Sequence, residues 1–264
     1  MTKPTKPHRA RKRFGQNFLH DAGVIDNIIR AIHPLETEHL VEIGPGQGAL
    51  TEFLSGSGCR LDVIELDRDL VPGLLRAYGN SPQFALHGAD ALGFDYSSLA
   101  DDDRPLRIVG NLPYNISTPL IFKLLESAAV IRDMHFMLQL EVVNRLAASP
   151  GNKNWGRLGI MAQYRCRIEA LFEVPPSAFS PAPKVQSAIV RLEPFSESPW
   201  PDCNEATLRQ VVRASFAQRR KTLRNNLKGI LDAAALEKAG IDPGARAETL
   251  GLLQFIEIAN IVDG

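Results

Sequence analysis

Five short runs with strand composition dictate what this chain can fold into: His39–Ile43, Arg60–Ile64, Phe84–His87, 106–109 and 134–140. Helical stretches separate them, so tight hairpins cannot join one run to the next. Strands alternating with helices build an α/β fold, a doubly wound parallel sheet with helices on its faces. In such a sheet ligands bind beyond the carboxyl ends of the strands. The residues just after each run are therefore where chemistry is expected. They are Gly44-Pro-Gly-Gln-Gly48, then Glu65-Leu-Asp67, then Gly88-Ala-Asp90, then Asn111-Leu-Pro-Tyr114.

The remaining segments organise around that sheet. Val24, Ile25, Ile28, Ile29 and Ile32 share one helical face, with Asp21 as N-cap and an end near His33-Pro34. Residues 69–78, 119–126 and 141–148 also read as helices. Pro72 and Gly73 weaken the first, and Ser117 or Thr118 is placed to cap the second. Residues 167–174 and 187–192 are two further strands, expected as an antiparallel pair at one edge. The segment 175–183 between them is too proline-rich for a helix or a sheet interior. Residues 149–156 form a polar loop, 193–201 resembles a linker, and 202–264 is helical. The expected domains are a basic arm with a segment able to pack as a lid over 1–20, an α/β domain over 21–198, and a basic helical domain over 199–264.

The formal net charge is +0, yet the charge is unevenly placed. Lys3, Lys6, Arg9, Arg11, Lys12 and Arg13 precede His20 with no acid among them. Arg209, Arg213, Arg219, Arg220, Lys221, Arg224 and Lys228 lie in an acid-free stretch over 206–231. Two basic segments on a neutral protein point to a docked polyanion. Arg11, Lys12, Arg13, Arg219, Arg220, Lys221, Arg224 and Lys228 are the expected contacts to that polyanion, a nucleic acid. Cys59, Cys166 and Cys203 are far apart and odd in number, as suits free thiols in a reducing compartment. The six histidines show no ligand spacing, so no metal is expected. No apolar run is long enough to span a membrane, and no apolar stretch follows the basic N-terminus as in a secretory signal. A cytoplasmic monomer is the expectation.

Gly44-x-Gly46-x-Gly48 departs from the dinucleotide fingerprint. Its third glycine should fall at position 49, which is Ala49, and Pro45 stiffens the first turn. A loop that allows close backbone approach without cradling phosphate suits S-adenosylmethionine. Glu65 would then meet the ribose hydroxyls through charge-assisted hydrogen bonds, and Asp90 the adenine amino group. After the fourth strand, Asn111 Oδ1 and a backbone carbonyl can accept from an amine while Tyr114 stacks on a planar base.

Phe14-Gly-Gln-Asn-Phe-Leu19, Val41-Glu-Ile-Gly-Pro-Gly-Gln-Gly-Ala-Leu-Thr51, Ile64-Glu-Leu-Asp67 and Asn111-Leu-Pro-Tyr-Asn-Ile-Ser117 together resemble the small-subunit ribosomal RNA adenine dimethyltransferases. In bacteria these are the kasugamycin-sensitivity dimethylases. The resemblance continues through Tyr164, the segment from Val174 to Ser187, the segment from Ser215 to Leu227, and Arg246-Ala-Glu-Thr-Leu250, so it covers nearly the whole chain. It implies a class I (Rossmann-like) methyltransferase fold with a small all-helical C-terminal domain. It also implies transfer of two methyl groups from S-adenosylmethionine to N6 of each of two adjacent adenosines near the 3′ end of small-subunit RNA, with a role in pre-30S assembly. Carried over by position, Asn17, Leu19, Gly44, Gly46, Glu65, Asp90 and Asn111 would bind the cofactor. Asn111, Leu112 (by its carbonyl), Pro113 and Tyr114 would hold the target adenine, and Phe179 would be a second aromatic against it. Trp155 stands where a Tyr is expected, and Gly251 where a Ser or Thr would cap the last helix. Two alternatives share this scaffold: a relative acting on large-subunit RNA or DNA, and a non-catalytic nucleic-acid-binding factor.

Overall fold

The computed structural model describes residues 16–264; the expected contacts Arg11, Lys12 and Arg13 lie outside the described residues. In chain order the elements are β1 (Phe18–Leu19), α1 (Ala22–Ile32), β2 (His39–Ile43), α2 (Thr51–Gly56), β3 (Arg60–Ile64), α3 (Val71–Tyr78) and β4 (Phe84–His87). Next come β5 (Leu106–Asn111), α4 (Ser117–Glu126), β6 (Ile131–Gln139), α5 (Leu140–Leu146), α6 (Arg157–Arg165), β7 (Cys166–Val174), β8 (Phe179–Ser180) and β9 (Ser187–Pro194). The chain closes with α7 (Glu205–Ser215), α8 (Leu223–Asn226), α9 (Ala233–Lys238) and α10 (Leu252–Asp263).

Seven strands form one sheet in the order β4-β3-β2-β5-β6-β9-β7. The pairs β2–β3, β3–β4, β2–β5 and β5–β6 are parallel, and β6–β9 is antiparallel. The chain starts in the middle at β2, winds outward to β4, and returns to β5 on the other side of β2. The carboxyl ends of β2 and β5 therefore flank the switch point of the fold, where a ligand crevice opens.

Local features explain the element ends. Asp21 Oδ1 accepts from Val24 N at 2.9 Å, and His33, at φ 49°, closes α1. Pro72 falls in the first turn of α3, where its missing N–H leaves nothing unpaired. Neither Ser117 nor Thr118 caps α4. Ile116 holds the cap position with no side-chain bond, and Ser117 Oγ instead donates to the Tyr114 carbonyl at 3.2 Å. The proline-rich segment contains a short strand after all: Phe18 pairs with Ser180 and Leu19 with Phe179 in a second, two-stranded sheet.

The chain contacts divide into two units. One comprises the chain up to Val143 together with Glu169–Pro194, and the other comprises Asn144–Ile168 together with Phe195–Gly264. The helical unit is thus not the contiguous stretch expected over 199–264. It recruits α6, for which the sequence analysis has no counterpart. Within this unit Trp155 Nε1 donates to the Leu250 carbonyl at 2.8 Å, and Gln163 Nε2 donates to the carbonyls of Leu146 and Ala148.

Two buried ionic clusters brace the sheet of the first unit. Arg107 Nε meets both oxygens of Asp133 at 3.1 Å; its other nitrogens reach Glu38 Oε2 and the Ile32 carbonyl, each at 2.7 Å. Arg107, Asp133 and Glu38 are all buried, so the guanidinium ties α1 to β5 and β6. In the second cluster Asp62 Oδ2 meets His39 Nε2 at 2.6 Å and Oδ1 meets His87 Nε2 at 2.5 Å. Burial pushes the Asp62 carboxyl up, but the hydrogen bonds to the two histidines outweigh it and hold the group well below the usual carboxylate range. Removing one partner of such a buried cluster strands the others without solvent. Arg107→Met is expected to lower unfolding stability by about 3–5 kcal/mol in urea titration, and a loss within error of zero would contradict the role assigned to this cluster.

Candidate active site

A cavity opens at the switch point, lined by the segments 16–19, 42–47, 49–50, 64–67, 89–92 and 111–116. All seven expected cofactor residues line it, and Leu112, Pro113 and Tyr114 join them.

The glycine loop turns sharply: Gly44, Gly46 and Gly48 have φ of 67°, 60° and 89°. At Gly46 the lack of a side chain also makes room for the lid, since a Cβ there would stand 3.2 Å from the Phe18 ring. The adjoining Glu65 is buried and aimed by the backbone. Its Oε1 accepts from Asp67 N at 2.7 Å and its Oε2 from Gly46 N at 3.3 Å. Burial raises the Glu65 carboxyl above its ordinary range against these N–H bonds. Each oxygen keeps a lone pair for a hydroxyl donor. Asp90 is exposed, and its Oδ1 accepts from Leu92 N at 3.0 Å.

The lid is tied down at several points. Gln16 Nε2 donates to Asp67 Oδ2 at 3.0 Å, and His20 N donates to the Ala178 carbonyl at 3.0 Å. Asn111 Nδ2 donates to the Asn17 carbonyl at 3.2 Å. That last bond sets the amide, with its nitrogen turned to the lid and Oδ1 left to accept from an incoming amine. Behind it, Leu112 N donates to the Met137 carbonyl at 3.3 Å, and the Tyr114 hydroxyl lies 2.9 Å from Ser187 Oγ.

Phe179, the expected second aromatic, is 3% exposed, does not line the cavity, and packs in the core cluster with Leu19, Ile25, Val174 and Ile189. It lies in β8, where it pairs with Leu19 of β1. In the basic segment one position is already paired. Arg219 is engaged by Glu248 at 3.1 Å and by the Lys153 carbonyl at 2.7 Å, from sequence far outside the acid-free stretch. Arg220, Lys221, Arg224 and Lys228 are exposed and have no ion-pair partner among the described residues. Among those residues no group of His, Cys, Asp and Glu is arranged to hold a metal ion, and no helix is long and apolar enough to cross a membrane.

Glu42 is the site residue that the sequence analysis overlooked, because it sits within a strand whose every residue is buried. It lines the cavity and accepts from Thr51 Oγ1 at 2.6 Å. Burial pushes its carboxyl up to about 7; the Thr51 bond opposes that shift and the nearby Glu65 charge adds to it. Between the ordinary value of 4.5 and about 7 the folded chain keeps a proton that the unfolded chain has lost, so stability falls as pH rises through that window. Glu42→Gln should therefore gain thermal stability relative to the parent between about pH 5 and pH 8, as read by calorimetry; parallel pH profiles would contradict it.

Known proteins share this architecture. The 23S rRNA methyltransferase ErmE superposes with a TM-score of 0.73 at 25% identity, over 94% of this chain and all (100%) of that one. A dimethyladenosine transferase from Plasmodium falciparum superposes with a TM-score of 0.78 at 24% identity, over 91% and 95% of the two chains. Among curated relatives, ribosomal RNA small subunit methyltransferase A of Pseudomonas aeruginosa is 63% identical over 253 residues, 96% of this chain and 94% of its own. The protein of the same name from Marinobacter nauticus is 59% identical over 97% of this chain and 92% of its own. The model of the ribosomal RNA adenine dimethylase family matches residues 7–264. With a class I methyltransferase sheet, an amide presented beside a glycine loop, and a family match over nearly its full length, the chain belongs to the ribosomal RNA adenine dimethylases.

Proposed function

We propose that this protein uses S-adenosylmethionine to dimethylate N6 of two adjacent adenosines in the 3′-terminal hairpin loop of small-subunit ribosomal RNA, on pre-30S particles in the cytoplasm. The observation that carries the reading is the Asn111 amide, held by the Asn17 carbonyl so that Oδ1 is the free acceptor at the end of β5. The methyl donor supplies an electrophilic methyl group on a sulfonium. Gly44 and Gly46 allow its close approach, Glu65 takes the ribose hydroxyls, Asp90 the adenine amine, and Asn17 and Leu19 close over it.

An exocyclic adenine nitrogen is a poor nucleophile because its lone pair is delocalised into the ring. Donation from its N–H groups to Asn111 Oδ1 and the Leu112 carbonyl favours a pyramidal nitrogen facing the methyl group. The bound donor would supply the methyl group to N6, the amine proton would leave to water, and positioning by these residues dominates the rate. Pro113 fixes the turn and Tyr114 stacks on the unstacked base, worth about 1–3 kcal/mol. A methylated N6 still has one N–H to donate, so the same acceptors can serve a second transfer. Arg220, Lys221, Arg224 and Lys228 supply phosphate contacts in the helical unit, with Arg219 contributing less because Glu248 already engages it.

The name of the 63%-identical relative favours the small-subunit substrate over the large-subunit one named for the 25%-identical ErmE. Incubation with labelled methyl donor and undermethylated small subunits, followed by mapping, tests this directly. Label appearing only on naked large-subunit RNA would refute the assignment. Asn111→Ala is expected to slow methylation by about 100-fold or more while particle binding persists in a filter assay. Reversing Arg220 and Lys221 to Glu should weaken particle binding and reduce its log-log salt slope by about 1–2; an unaltered slope would exclude phosphate contacts from these two side chains.

A further inference from the structure

Ser187 lies outside the cavity lining, yet it is 1% exposed and its hydroxyl is 2.9 Å from that of Tyr114. It opens β9 and pairs with Gln139 at the carboxyl end of β6, the neighbour of the strand that ends in Asn111. The Leu140 N–H, donating to the Gln186 carbonyl at 2.9 Å, fixes the backbone just before it. The first residue of an interior strand therefore carries this hydroxyl, whereas a loop carries Tyr114. The loop end of Tyr114 is already restrained, because Pro113 limits the preceding backbone and Ser117 Oγ donates to the Tyr114 carbonyl at 3.2 Å. What remains free in such a residue is rotation of the side chain, and a ring held only at its Cα sweeps through orientations that present an edge rather than a face.

We infer that Ser187 is a positioning residue for the methyl acceptor: by holding the Tyr114 hydroxyl it locks the ring face-on to the cavity. The inference rests on the reading of Tyr114 as the stacking residue and deepens it. With its hydroxyl engaged by Ser187, Tyr114 offers the base a face and leaves recognition of the amino group to Asn111 and Leu112. Stacking of this kind tolerates any base, so selectivity for an adenine amine falls to the acceptors at the end of β5. An ordered hydroxyl pair also removes rotamer freedom before the RNA arrives, which helps binding and alignment together.

The test is a double-mutant cycle on full-length protein with undermethylated small subunits. Ser187→Ala and Tyr114→Phe each delete one hydroxyl of the pair. Each is expected to lower kcat/KM for the particle by about fivefold, the size of one lost neutral hydrogen bond. The double variant should lose no more than either single one, because the two changes remove the same interaction. The affinity for S-adenosylmethionine, measured by calorimetry, should stay unchanged in all three, which general damage to the fold would not allow. Ser187→Thr, which keeps the hydroxyl, should recover most of the rate. Parent-like kcat/KM in Ser187→Ala, or losses that multiply in the double variant, would overturn the inference. Tyr114→Ala separates the two levels. If it is fully active, the stacking role itself fails; if it is inactive while Ser187→Ala is normal, only the role of Ser187 fails.

Discussion

The close parallel pairing of β2 with β5 is the constraint on which the rest of the site depends. Glu42 pairs with Val109, and one residue further on Gly110 passes directly beneath the end of β2. A Cβ on Gly110 would stand 2.5 Å from the Ile43 carbonyl, so only glycine lets the two strands stay together at that level. Because they do, the glycine loop that leaves β2 and the Asn111 loop that leaves β5 emerge side by side. On the proposed reading, a donor on one loop and an acceptor held by the other would meet with no moving part, a juxtaposition set by main-chain packing before any side chain is considered.

The polar groups of the first unit fall into two sets with different roles. Arg107, Asp133 and Glu38 satisfy one another and the end of α1, and His39, Asp62 and His87 do the same across three adjacent strands. These polar clusters tie together strands that lie side by side, and none of their residues lines the cavity. Glu42 and Glu65 do line it, and both have carboxyls shifted upward by burial. Two acids close together in a poorly solvated cavity oppose full ionisation, and a cationic ligand with hydroxyl donors would relieve that opposition. The upward shifts and the proposed occupant are thus two aspects of one electrostatic arrangement.

The lid connects the two sides of the site. Gln16 reaches the Glu65–Asp67 turn, Asn17 holds the Asn111 amide, Phe18 lies over Gly46, and Leu19 pairs with Phe179. One short segment therefore touches the Glu65–Asp67 turn, the Asn111 amide and the glycine loop in succession. Phe179 fills the core beside β8 and helps keep the small sheet in place.

Much of this protein was legible in its sequence because the deciding signals are local. Strand runs, helical spacing and the glycine turn place four functional segments after four successive strands, and parallel winding then obliges their ends to meet. Gly44, Glu65, Asp90 and Asn111 converge for that reason alone. The chain could not declare through-space partners in the same way. The Ser187 hydroxyl against Tyr114, Glu248 against Arg219, and the Asn17 carbonyl that orients Asn111 each join residues at least 29 positions apart. The burial of Phe179 and of Glu42 likewise depends on what packs over them. Period and composition record which way a side chain faces within its own element; which neighbour it meets there is decided only when distant segments pack.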